Sequence, residues 1–62
     1  MNAIELANYE LSFSFPGKKA VEVRKTGRLE CEIILSDGGI IKVNGLIAFE
    51  LNKCLDREKS VN

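Results

Sequence analysis

A chain of 62 residues has room for one small core and buries only about 60% of the surface its unfolded form exposes, which excludes a second domain and favours self-association. Nine basic residues balance nine acidic ones and histidine is absent. No global field therefore draws the chain to nucleic acid or membrane, and a zinc site would need two thiolates plus scattered carboxylates, a poor match to known ligand spacings.

The start, MNAIELANYE, lacks the basic region and long apolar run of a signal peptide. No apolar stretch approaches the roughly 20 residues that span a bilayer. The expectation is a cytoplasmic protein with Cys31 and Cys54 reduced. Residues 2–8 read two ways. Asn2 and Glu5 have the spacing of a cap pair that would open a short helical turn, or the segment begins the first strand.

From Tyr9 the pattern becomes extended. Tyr9, Leu11, Phe13 and Phe15 alternate with Glu10, Ser12 and Ser14, a period of two that predicts a strand over 9–15. The Pro16-Gly17 pair marks a turn. Val21 and Val23 alternate with charged or small neighbours over 19–24, Leu29, Cys31, Ile33 and Leu35 over 28–35, and Ile41 and Val43 over 39–43. Four short amphipathic strands separated by glycine-containing turns predict an antiparallel β-meander with one buried face.

Turn chemistry sets the register, because directly opposed residues on an antiparallel pair share a face. A three-residue loop Ser36-Asp37-Gly38 places Ile33 opposite Ile41, Cys31 opposite Val43, and Glu32 opposite Lys42 on the outer side. A matching loop Lys25-Thr26-Gly27 would place Val23 opposite Leu29 and Val21 opposite Cys31. In both, glycine stands third, where a left-handed residue follows a type I turn.

The stretch KVNGLIAFELNKCL, residues 42 to 55, offers an Asn-Gly hairpin signal or an Asn44-capped helix. At 100° per residue, Ile47, Ala48, Leu51, Cys54 and Leu55 share one stripe, with Glu50, Asn52, Lys53, Asp56 and Arg57 outside it. Good helix formers continue to Lys59 without a breaker. A helix over 45–58, lying on the inner face of the sheet, follows. The fold expected is α+β, a four-stranded antiparallel meander with one C-terminal helix packed on one face. Its core would hold Leu11, Phe13, Val21, Val23, Leu29, Cys31, Ile33, Ile41, Val43, Ile47, Leu51 and Leu55.

Catalytic patterns are missing: no glycine-rich phosphate loop, no Gly-x-Ser-x-Gly and no metal-ligand cluster occurs. Cys31 and Cys54 fall on buried stripes and read as small core hydrophobes rather than nucleophiles. Glu30 with Glu32 or Glu22 would lie on a solvated face. The expectation is a non-enzymatic protein without cofactor or metal.

Two binding surfaces can be read instead. Ile34 and Ile40 oppose one another on the outer sheet face, and Leu46 and Phe49 lie off the helix stripe; one or both pairs would meet a second copy, as a dimer, or another protein. Alternatively, Lys18, Lys19, Arg24, Lys25 and Arg28 fall within residues 18–28, beside a single acid, Glu22, and could contact phosphates. The opening MNAIELANYELSF, the basic hairpin, LSDGGIIKVNGLIAFEL and the short polar tail resemble small Bacillus prophage proteins of the XtrA type, from the PBSX-like element. The resemblance covers most of the chain and contains no motif with a known mechanism. It implies a phage-derived context, where small proteins act as regulators or inhibitors by binding a host protein.

Overall fold

A computed structural model describes residues 1–59. Its elements run α1 (Ala3–Ser14), β1 (Ala20–Gly27), β2 (Glu30–Leu35), β3 (Ile40–Asn44) and α2 (Leu46–Lys59). The strands form one antiparallel sheet in the order β1-β2-β3, and both helices pack against it. The architecture is α+β with three strands and a helix at each end, which corrects the expected four-stranded meander.

The segment 9–15, expected as the first strand, lies almost entirely in α1. The helix starts at Asn2, whose side-chain oxygen accepts the Glu5 amide at 2.8 Å while the Glu5 carboxylate accepts the Asn2 amide at 2.9 Å. This reciprocal capping box satisfies two amides that the first turn would leave orphaned. Ala3, Ala7 and Leu11, four residues apart, form the buried stripe. Leu11 alone of the four alternating apolar residues belongs to it. Tyr9, Phe13 and Phe15 are exposed, so the period of two at 9–15 was a coincidence laid over a helical stripe. Of the two readings of residues 2–8, the helical one holds.

The β2–β3 hairpin has the expected register. Cys31 pairs with Val43, Glu32 with Lys42, Ile33 with Ile41 and Ile34 with Ile40. Gly38 stands at φ +90°, a conformation that only glycine adopts without cost, and its amide donates to the Leu35 carbonyl at 3.0 Å. The β1–β2 register differs. The connecting residues are Arg28 and Leu29, not Lys25-Thr26-Gly27, and Val23 pairs with Ile33 rather than Leu29. The later turn moves every pairing along β2, and the register shifts between Ala20 and Glu22 and between Lys25 and Gly27 each add one residue on β1. At such a bulge two residues oppose one, so Val21 turns outward while Ala20 takes the buried place opposite Leu35. The expected Val21–Cys31 pairing is replaced by Lys25–Cys31.

The C-terminal helix forms as expected, but Asn44 does not cap it. Asn44 ends β3 opposite Glu30, and Gly45, at φ +80°, supplies the carbonyl that accepts the Phe49 amide. Asn52, placed outside the stripe by the wheel, is 3% exposed. Its amide donates to the carbonyls of Gly27, Arg28 and Glu30 at 2.8, 3.1 and 3.2 Å. Those three acceptors bracket the β1–β2 turn, so α2 holds the turn from above. The Asn52 Oδ1 is buried without a hydrogen-bond partner among the described residues.

The core therefore contains Leu11, Val23, Cys31, Ile33 and Leu51 as expected, with Ile41, Val43 and Leu55 packed on it at partial burial. Phe13, Val21, Leu29 and Ile47 are exposed instead. The rest of the core is Leu35, Ala48 and Cys54, which lie on the expected buried stripes, and Ala3, Ala7 and Ala20, which do not.

The two edges of the sheet differ. At the start of β1, the Asn8 side chain on α1 accepts the Ala20 amide at 2.8 Å and donates to the Ala20 carbonyl at 3.4 Å. The bulge follows at once. β3 has no bulge and no proline, and among the described residues its outer side has no strand partner.

Candidate functional site

The basic residues singled out in the sequence are dispersed by the fold. Lys18 and Lys19 precede β1, whereas Lys25 and Arg28 lie at its far end; at ~3.3 Å per residue these groups stand roughly 23 Å apart. Lys18 Nζ meets Asp37 Oδ2 at 2.6 Å, Arg24 meets Glu32 at 3.7 Å, and Lys25 meets Asp56 of α2 at 3.7 Å. The Lys18 hydrogen bond, aided by the Gly39 amide, holds the Asp37 carboxyl below the usual carboxylate range. Three of the five cations are thus neutralised by neighbours, and the set makes no continuous track for a phosphate backbone.

Both cysteines are buried and free. Burial pushes the Cys31 thiol up, away from the thiolate that nucleophilic chemistry requires. The Cys54 sulfur lies 3.2 Å from the Arg57 guanidinium and 3.8 Å from the Met1 carbonyl, in the seam between the helices. No group of three or more His, Cys, Asp or Glu among the described residues could hold a metal ion. No described helix is long and apolar enough to cross a membrane.

The apolar candidates have different fates. Ile34 is half-buried, and Ile40 is exposed beside it on the open sheet face, where Glu22 flanks Ile34 on the other side. Phe49 carries the Lys53 ammonium 5.3 Å above its ring, a cation–π contact that covers part of the aromatic face. Leu46 is 76% exposed and borders a cleft that sequence reasoning did not foresee.

That cleft arises from the way α1 and α2 cross the sheet. They run antiparallel, because the Ala3 amide at the start of α1 donates to Glu58 at the end of α2, at 2.8 Å. At this end the small side chains of Ala3, Ala7 and Cys54 allow close approach. Toward the other end the gap widens. A space of ≈ 260 Å³ opens between Leu6 and Glu10 of α1 and Leu46, Ile47 and Glu50 of α2. A second, of ≈ 190 Å³, continues past Glu10 and Ile47 to a floor of Ile33, Ile41 and Val43, with Leu11, Ser14 and Phe15 along its side. On the wheel of α1, Tyr9 and Phe13 fall on the same outer side as Leu6, and their rings meet edge to face at 5.1 Å and 82°.

The site is an apolar trough, floored by the sheet and rimmed by two carboxylates. Its lining is mainly apolar, with Glu10, Ser14, Lys42 and Glu50 as the ionic and hydroxyl groups, a composition suited to binding a side chain. Leu46 and Ile47 could be read from the sequence as apolar residues of the helix. Leu6, Glu10 and Phe15 could not, because their contribution depends on α1 being a helix. No family model, curated protein or solved structure matches this chain.

Proposed function

We propose that this chain is a small protein-interaction module that acts in the cytoplasm by docking on another protein, in the manner of a phage-derived regulator or inhibitor. One observation carries the reading: an unfilled apolar trough between α1 and α2, bordered by Leu46 at 76% exposure and Ile47 at 44%. Exposed apolar residues scattered singly are ordinary on monomers, whereas a contiguous set with a concave centre marks a site that another surface covers. The dispersal and pairing of Lys18, Arg24 and Lys25 weigh against nucleic acid as the main partner. The burial of both thiols weighs against cysteine-based catalysis.

A photo-crosslinking side chain placed at Leu46, and separately at Arg28, tests this in cells that make the protein. Discrete protein adducts from position 46, with none from position 28, are expected. Nucleic-acid adducts from position 28, or no adduct from position 46, would overturn the reading.

A further inference from the structure

Resting on the interaction reading above, the trough constrains what fills it. Its two spaces, ≈ 260 and ≈ 190 Å³, lie end to end and meet at Glu10 and Ile47, an elongated shape rather than a single ~300–1,000 Å³ small-molecule pocket. They are also too small for an α-helix ~10 Å across. They suit individual large side chains. The trough lies over β3, whose outer side is unpaired. The Leu35 amide donates to the Gly39 carbonyl at 2.8 Å, so by alternation the backbone groups of residues 41 and 43 face β2. Those of Ile40 and Lys42 then face outward. A chain laid along this edge would find its main-chain partners there and would send alternate side chains toward the trough.

Charge narrows the occupant further. Glu10 and Glu50 both stand on the rim, and neither makes an ion pair among the described residues. The last turn of α1 contains no basic residue, so its carbonyl ends add negative partial charge nearby. Lys42 is the single cation among the residues that line the trough. A second copy fits less well, because a two-fold axis along β3 would bring each chain's Glu10 and Glu50 toward those of its mate.

We propose that β3 and the trough together receive an extended segment of a partner protein, in which a large apolar residue has Lys or Arg two positions before and two positions after it. The segment joins the sheet as a fourth strand beside β3. The apolar side chain enters between α1 and α2, and the cations, which share its face of the added strand, meet Glu10 and Glu50.

The test is an amide-resolved titration of the full chain with two short capped peptides. One has a central phenylalanine with lysine two positions to either side and threonine between them; the other has glutamate in place of lysine. The basic peptide is expected to shift Leu6, Glu10, Val43 and Ile47 and to slow exchange of the Ile40 and Lys42 amides. It should bind about tenfold more tightly than the acidic peptide at low salt, with the preference lost in a Glu10→Lys, Glu50→Lys double variant. Ile47→Lys should abolish binding; if its spectrum shows unfolding, Leu46→Lys serves, being more exposed. Shifts centred on Ile34 or on Arg28 would overturn the proposal. So would shifts of β3 that grow with protein concentration alone, which would make a second copy the occupant. Absence of any shift would also overturn it, and if position 46 still crosslinks to protein in cells, the interaction reading stands while the partner chemistry falls.

Discussion

The two ends of the helix pair are built from the same two helices and behave differently. Where α1 begins and α2 ends, Ala3, Ala7 and Cys54 are at most 5% exposed, and Glu58 ties the helices by accepting the Ala3 amide. Where α2 begins, Leu46 and Ile47 are larger and more apolar, yet both remain in water. Small side chains let the helices approach where α1 begins; Ala48, next in α2, is fully buried, so volume alone does not set the closure of that helix's first turn. A chain of this length thereby keeps a stable core and an unfilled apolar surface at once.

Leu51 is fully buried on α2 between the two ends and supports both. Leu51→Ala should cost about 2–5 kcal/mol, enough to unfold most of a domain this small. An unchanged melting temperature would show that α2 is not packed on the sheet as described. Ala7→Leu would give the closed end the volume of the open one. It should cost about 1–3 kcal/mol and speed native-state thiol labelling of Cys54; slow labelling equal to the parent chain would break the volume argument. At the open end, Leu46→Lys should change stability by less than about 0.5 kcal/mol. A larger loss in thermal unfolding would mean that Leu46 packs rather than waits.

The smallest effect belongs to a contact remote from both ends. Asp37 is held below its ordinary value mainly by Lys18. A lowered folded-state pKa stabilises above the unfolded value and loses that contribution as pH falls through the lowered one. Asp37→Asn should therefore lower the melting temperature slightly near neutrality and flatten its decline below about pH 4. An acid limb as steep as the parent's would assign that decline to other carboxylates.

Much of the C-terminal half was legible in the sequence. The Ser36-Asp37-Gly38 loop and the apolar alternation agree on one register for β2 and β3, and the stripe through Leu51 and Cys54 has a single helical solution. α1 was obscured because its buried stripe consists mainly of Ala3 and Ala7, which carry little hydrophobic signal, while Tyr9, Phe13 and Phe15 alternate on its exposed side. The β1 register was hidden by two bulges, and nothing near Gly27 announces that Asn52 will hold the turn from another element. Leu46 stood out as misplaced on a wheel. The trough beside it requires α1 as its second wall, and so could not be seen while 9–15 read as a strand.

The unequal edges of the sheet also limit how far strand addition can go. Beside β1, Asn8 already occupies the Ala20 backbone, and the bulge at Val21 turns the following residues out of line. Interruptions of this kind are how sheet proteins stop neighbours from pairing. A strand joining β3 would find the start of the opposite edge already occupied and bent, which hinders edge-to-edge growth into a fibre.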